Sequence, residues 1–137
     1  MTPDIYNDKR FGINQESISK NALNIISKLH KSGFEAYIVG GGIRDMIKGL
    51  RPKDFDIVTN CEPEEIRKIF RNSRIIGRRF KLVHIAFADE IIEATTFRAG
   101  GTSTTESIEI NERGRIVRDN NWGTQEEDVL RRDLTIN

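Results

Sequence analysis

The sequence predicts an α+β domain, in which a mixed or antiparallel sheet is flanked by helices. Near the N-terminus, apolar residues recur with the helical period. Short apolar or alternating runs, typical of strands, follow at residues 34–39, 53–59, 74–77, 82–87 and 91–97. The last two runs are separated by three residues, Ala88-Asp89-Glu90, which is short enough for a hairpin. Part of the sheet is therefore expected to be antiparallel.

The first predicted helix carries its apolar residues on one face. They lie at i, i+4, i+7, i+8 and i+11: Ile18, Ala22, Ile25, Ile26 and Leu29. Asn14 is the expected N-cap of this helix, and Gly33 is expected to end it. The strand at 34–39 follows and leads directly into a glycine triplet at residues 40–42.

Two further helices are predicted in the first half of the chain. Residues 43–48 form a short helical segment that Gly49 stops. After the strand at 53–59, Pro63 in a first turn begins a helix that buries Ile66, Ile69 and Phe70.

The C-terminal third is predicted to contain a loop and a helix. Residues 99–117 indicate a mobile loop, because the stretch 100–105 offers no large apolar side chain to bury. A helix is expected from Thr124, with acidic residues early and basic residues late, as the helix dipole favours.

The glycine triplet and a nearby pair of aspartates carry the chemistry. Asp54 and Asp56 stand at i and i+2, so an extended strand projects both to one face. Such carboxylates repel each other unless a cation lies between them, and Mg²⁺ binds carboxylates together with substrate phosphates. Alone, a glycine triplet is usually a tight turn and Asp-x-Asp is usually a solvated loop. Together they favour phosphoryl or nucleotidyl transfer.

Four segments resemble a known family in order and spacing: residues 39–45, 52–56, 91–98 and 126–137. They are similar to the catalytic head of bacterial class II nucleotidyltransferases, the group of poly(A) polymerases and CCA-adding enzymes, whose head resembles DNA polymerase β. Residues 77–84 and 118–120 are more similar to the poly(A) polymerase branch.

The resemblance implies two-metal transfer of AMP from ATP to the 3′-hydroxyl of RNA. It implies Mg²⁺ as the cofactor, and ATP and an RNA 3′ end as substrates. The implied catalytic residues are Asp54, Asp56 and Asp133. The implied metal ligands are Asp54, Asp56 and Glu93, and either Glu93 or Asp133 is the third carboxylate.

The resemblance also implies a nucleotide-binding set. Backbone N–H groups of the glycine turn and a neighbouring arginine would cradle phosphates, and the C-terminal motif would hold the nucleotide. The implied residues are Gly41, Gly42, Arg44, Asp45, Arg132 and Asn137.

The domain organisation is expected to be one truncated head domain over residues 1–137, without the neck, body and tail of the family. Little or no activity is expected of such a fragment alone. Two alternatives stay open: the head of a tRNA CCA-adding enzyme, and a nucleotide- or RNA-binding fragment without catalysis.

Composition excludes several classes of protein. No apolar run approaches the ~18 residues that span a membrane. No signal peptide is recognisable, and the single cysteine, Cys61, leaves no internal disulfide, so a cytoplasmic location is expected. No Cys/His cluster has the spacing of a zinc site. No obligate protein partner is evident.

The positive charge is concentrated in one segment, although the net charge is only +1. Residues 67–81 contain seven basic residues and no acidic one. This segment is either a surface for RNA or nucleotide phosphates, or a solvated helix face followed by a strand.

Overall fold

The computed structural model describes residues 2–99, 108–110, 116–119, 122–132, 134 and 136, with backbone alone for 108–110 and 116–119. Two short 3₁₀ helices, Asp8–Phe11 and Gln15–Ser17, open the chain. The helices are α1 Lys20–Lys31, α2 Gly41–Ile47, α3 Pro63–Ile69 and α4 Gln125–Leu130. The strands are β1 Ala36–Val39, β2 Asp56–Thr59, β3 Ser73–Ile76, β4 Leu82–Ala86, β5 Ile91–Thr96, β6 Ile108–Ile110 and β7 Ile116–Asp119.

The predicted α+β class and the mixed sheet are confirmed. Five strands form one sheet in the order β1-β2-β5-β4-β3, and β6 pairs with β7 separately. Within the five-stranded sheet β2 and β5 are parallel, and the other neighbours are antiparallel. The predicted hairpin joins β4 to β5, and the Phe87 N–H donates to the Glu90 carbonyl at its turn over 2.8 Å.

The five-stranded sheet has two different faces, because residues paired in register project to the same side. One face is packed with apolar side chains, including Ile57, Val83, Ile85, Ile92 and Ala94, which are all fully buried. Helices α1 and α3 contribute Ile25, Leu29 and Ile66 to the same core. The opposite side, called here the open face, carries Asp56, Glu93, His84 and Arg74.

The ends of α1 differ in part from prediction. Asn14 caps the short helix Gln15–Ser17, whereas Ser19 caps α1 by accepting a hydrogen bond from the Ala22 N–H. Asn14 is the wrong cap because the backbone of Ile18 is extended and separates the two helices. Gly33 ends the helix as predicted: it has a φ of 90°, and the Phe34 N–H donates to the Leu29 carbonyl.

Two boundaries beside the glycine turn and the aspartates also differ from prediction. Helix α2 begins at Gly41, two residues before the predicted start, and β2 begins at Asp56 rather than at residue 53. Gly49 follows α2 with a φ of 76°, as expected of a helix stop.

The predicted loop at 99–117 contains strand structure that the sequence interpretation missed. β6 lies within it and pairs antiparallel with β7, whose first two residues also fall in the segment. Apolar residues at 108, 110 and 116 are compatible with short strands, although the composition of 100–105 favours a loop. Residues 100–107 and 111–115 lie outside the described residues.

Buried hydroxyl groups form hydrogen bonds with the backbone at the ends of β2 and β5, where Cys61 follows β2. The Thr59 hydroxyl donates to the Glu35 carbonyl, and the Thr96 hydroxyl donates to the Cys61 carbonyl over 2.6 Å. Burial, followed by the charges of Glu65 and Glu62, raises the pKa of the Cys61 thiol to about 12, so the cysteine stays a thiol. In the part of the chain that is described, no helix is long and apolar enough to cross a membrane.

Candidate active site

Asp54 and Asp56 lie where the chain enters β2. Phe55 between them is buried, and both aspartates are exposed, as the alternation of an extended chain requires. Asp54 lies two residues before the strand, and Asp56 is its first residue. The predicted placement of both carboxylates on one side of the chain is therefore retained, although the strand is shorter than predicted.

Glu93 lies beside Asp56 on the open face. Parallel pairing of β2 with β5 puts Asp56 in register with Glu93. On the other side of β5, Glu93 is in register with His84 of β4, whose Nε2 lies 3.9 Å from Glu93 Oε2. The expectation that β5 would bring Glu93 to the aspartates is confirmed, while its role as a ligand remains a prediction.

The carboxylates are electrostatically coupled. Although Asp56 is exposed as a residue, its carboxyl group is partly desolvated, and this partial burial and then the neighbouring Asp54 carboxylate raise its pKa, while the Arg132 guanidinium lowers it. Burial and then Asp56 raise the pKa of Glu93, and His84 lowers it. The close carboxylates of Asp54, Asp56 and Glu93 would therefore stabilise a cation bound between them.

The donor set suits a hard divalent cation, because carboxylate oxygens are the ligands that Mg²⁺ prefers. Among the residues with described placement, no group of three or more His, Cys, Asp or Glu side chains is arranged to hold a metal ion. Asp133, the other predicted third carboxylate, lies outside the described residues.

The glycine turn lies directly against the aspartates. Gly40 follows β1 with a φ of 82°, and a Cβ at this position would lie 3.4 Å from Asp56 Oδ2. A Cβ on Gly42 would lie 3.1 Å from the Asp54 carbonyl oxygen. These approaches fix the first turn of α2 against the chain that carries both carboxylates. The first N–H groups of a helix have no intrahelical acceptor, which suits the predicted phosphate cradle at Gly41 and Gly42.

The remaining predicted nucleotide residues on α2 are Arg44 and Asp45. Arg44 Nη1 donates to the Ile136 carbonyl over 3.0 Å, so α2 is joined to the C-terminal segment. Asp45 is half-buried, and its carbonyl oxygen accepts the Leu50 N–H. Asn137, the last residue of the predicted set, lies outside the described residues.

Arg132 is held by a carboxylate that the sequence interpretation overlooked. Asp128, at 2% exposure, accepts hydrogen bonds from Arg132 Nε and Nη2, both at 2.9 Å. Its other oxygen accepts from Arg131 Nε and Nη2 at 3.0 and 2.9 Å. The Arg98 backbone N–H also donates to Asp128 over 2.9 Å. Asp128 thus joins the two arginines that follow α4 to the segment just after β5, and the bases predicted late in the helix lie beyond its end.

The sequence contains a signal for this arrangement. Aspartate at i with arginines at i+3 and i+4 places three charges on one side of a helix. The predicted start of α4 is confirmed: Thr124 caps it in a reciprocal capping box with Glu127.

The order of the motifs and the geometry of the site agree with the protein family that the sequence matches. Residues 36–137 match the family described as Poly A polymerase head domain. The chain belongs to this family.

Curated relatives of this head domain include two bacterial enzymes. Poly(A) polymerase I of Salmonella typhi is 48% identical over 132 residues, which cover 94% of this chain and 28% of the relative. Poly(A) polymerase I of Haemophilus influenzae is 50% identical, covering 93% of this chain and 29% of the relative. The chain therefore spans less than a third of the length of these relatives.

The fold is also that of a solved nucleotidyltransferase. The Bacillus stearothermophilus CCA-adding enzyme, solved in complex with CTP, superposes with a TM-score of 0.54 at 28% identity. The match covers 81% of this chain and 31% of that enzyme.

The close approach at Gly42 predicts a difference between two neighbouring glycines. Gly42→Ala should lower the free energy of unfolding by about 1–3 kcal/mol, because its methyl group meets the Asp54 backbone. Gly41→Ala is the matched control: its Cβ would meet Arg44 Nη2 at 3.8 Å, an ordinary contact. It should change stability by no more than about 1 kcal/mol. Urea unfolding of both variants tests this, and equal destabilisation would contradict the packing argument.

The buried position of Asp128 predicts that its charge stabilises the head domain. Asp128→Asn should lower the free energy of unfolding by about 1.5–3 kcal/mol, since two guanidinium groups lose a charged acceptor. Glu126→Gln, an exposed acid on the same helix, should change it by no more than about 0.5 kcal/mol. Thermal and urea unfolding measure both values. A loss in Asp128→Asn no larger than that of the control would refute the assignment.

Proposed function

We propose that this chain is the catalytic head of an enzyme that adds AMP from ATP to the 3′-hydroxyl of RNA. The observation that carries the proposal is the position of Asp56, the first residue of β2, in register with Glu93. Its Oδ2 would lie 3.4 Å from a Cβ on Gly40, and Asp54 lies two residues before it. The identity of 48–50% to two enzymes named poly(A) polymerase I supports adenylate as the transferred group.

Asp54 and Asp56 would hold Mg²⁺, with Glu93 or Asp133 as a third carboxylate. The chemistry that Mg²⁺ would supply there is a lower pKa of the attacking 3′-hydroxyl and neutralisation of charge on the α-phosphate of the transferred AMP. The chain's own contribution is to hold the carboxylates against the glycine turn. Gly42 fixes the backbone of Asp54, and Arg132 offsets part of the negative charge at Asp56.

The nucleotide would bind between α2 and the C-terminal segment. Backbone N–H groups of Gly41 and Gly42, together with Arg44, would contact its phosphates. The hydrogen bond from Arg44 to the Ile136 carbonyl supports this placement, because it brings the two nucleotide-binding segments together. Asp45, Arg132 and Asn137 complete the proposed set.

The proposed location of the reaction is the cytoplasm. The buried, unpaired thiol of Cys61 suits a reducing compartment.

Primer extension by the complete native protein that carries this sequence tests the proposed function. A generic RNA and a tRNA that lacks CCA would each be incubated with Mg²⁺ and one nucleotide at a time. We expect long adenylate tails on the generic RNA from ATP alone. Asp54→Asn and Asp56→Asn should each lower the rate by about 100-fold or more, because each removes a metal ligand worth several kcal/mol in the transition state.

The control for this assay is Asp89→Asn, an exposed acid in the β4–β5 turn, which should keep the wild-type rate. Addition limited to C, C and A on tRNA would assign the chain to a CCA-adding enzyme instead. Absence of incorporation by the wild type and both variants alike would contradict catalysis and leave a nucleotide- or RNA-binding module.

A further inference from the structure

A row of side chains crosses the open face from β2 to the sheet edge, and its charge changes sign along the way. Asp56 is in register with Glu93, Glu93 with His84, and His84 with Arg74. The row therefore begins at the carboxylates of the candidate active site and ends on β3 with an arginine. Three inter-strand spacings separate β2 from β3, which is about 14 Å.

The basic segment 67–81 divides into residues with different surroundings. Lys68 lies 3.8 Å from Glu65, and Lys81 lies 3.2 Å from Glu64, so both have acidic partners. The Arg79 guanidinium lies over the Phe80 ring. In contrast, Arg71 and Arg74 are exposed, and within the described residues neither takes part in an ion pair.

Arg71 and Arg74 line a surface cavity of about 420 Å³ at the edge of the sheet. We call it the β3-edge groove and define it by Arg71, Arg74, Ile76, His84, Ala86 and Ile91. No acidic residue is among its described lining residues. Ile91 is 61% exposed, and Ile76 and Ala86 add further apolar surface beside the cations. Cations next to apolar surface suit a ligand with phosphates along one side and ribose and base surfaces along the other.

We propose that the β3-edge groove binds the sugar-phosphate backbone of single-stranded RNA upstream of the 3′ end. The proposal rests on the proposed function, because the 3′-hydroxyl is then held at Asp54 and Asp56. RNA is favoured because the groove is cationic and because His84, which lines it, is in register with Glu93 beside the candidate active site. With nucleotides stacked ~3.4 Å apart, a strand that crosses about 14 Å reaches Arg74 after about four nucleotides.

Because of this spacing, only RNA longer than about four nucleotides should reach Arg74. Fluorescence anisotropy of the 137-residue chain with RNAs of two lengths tests this dependence. The probes are 5′-labelled oligoadenylates of eight and of three nucleotides. Arg71→Gln/Arg74→Gln should weaken binding of the octanucleotide about fivefold or more, and of the trinucleotide less than twofold. The slope of log K against log salt for the octanucleotide should fall by about 0.7 for each phosphate that the variant no longer neutralises.

The matched control is Arg67→Gln/Lys68→Gln, which removes the same charge from exposed positions of α3, the helix on the opposite face. It should change the octanucleotide affinity less than about twofold. Equal losses in the two double variants, or equal losses for both RNA lengths, would overturn the proposal. A wild-type chain that does not bind the octanucleotide would overturn it as well.

Binding of Mg-ATP to the same proteins separates this inference from the proposed function. If the wild type binds Mg-ATP but the groove variant keeps full octanucleotide affinity, the groove assignment fails and the proposed function stands. If the groove variant instead loses Mg-ATP affinity, the groove serves the nucleotide and the RNA assignment is wrong. If the wild type binds neither ligand, both proposals fail.

Discussion

Repulsion among the carboxylates at one end of the open face constrains what surrounds them. Partial burial raises the pKa of both Asp56 and Glu93, and the neighbouring carboxylate, Asp54 for Asp56 and Asp56 for Glu93, raises it further. Arg132 and His84 act in the opposite direction on these two groups. A folded chain that keeps such like charges together is poised to bind a cation, and this links the fold to phosphoryl chemistry.

The sheet provides the rigid support that this cluster requires. The other side of β2, β4 and β5 is packed with fully buried apolar residues, which fixes the register of each strand. A one-residue slip of β5 would bury Glu93 and expose Ile92, so the core itself selects the face that carries the acid. The glycine turn and the Asp128 hydrogen bonds then set the two flanking segments, α2 and α4, against the sheet.

Local patterns predicted the local features well. The i, i+2 spacing of Asp54 and Asp56 anticipated their shared side, and the glycines anticipated the turn before α2. Which strand pairs with β2 could not be predicted from local patterns. Its partner β5 lies more than thirty residues further along the chain, and their parallel pairing depends on tertiary packing. The prediction of Glu93 therefore depended on the family resemblance.

The burial and the partners of charged side chains were harder to predict than the elements on which they lie. Asp128 belongs to an acidic run on a helix, and its i+3 and i+4 spacing to two arginines indicates ion pairs but not that its carboxylate is buried. The basic segment 67–81 posed the same difficulty, since sequence gives its charge but not which side chains have acidic partners. Strands β6 and β7 were missed because a hairpin formed by main-chain pairing requires no long apolar run.

Mg²⁺ titration of the 137-residue chain, followed by the backbone amide signals in NMR, tests the central claim most directly. Saturable shifts are expected at the glycine turn, at residues 54–57 and at Glu93. In Asp56→Asn the affinity should fall about tenfold or more, and in Glu16→Gln, which alters an exposed acid of the first helices, it should stay unchanged. Shifts that avoid these segments, or equal affinity in all three proteins, would contradict a cation site at the carboxylates.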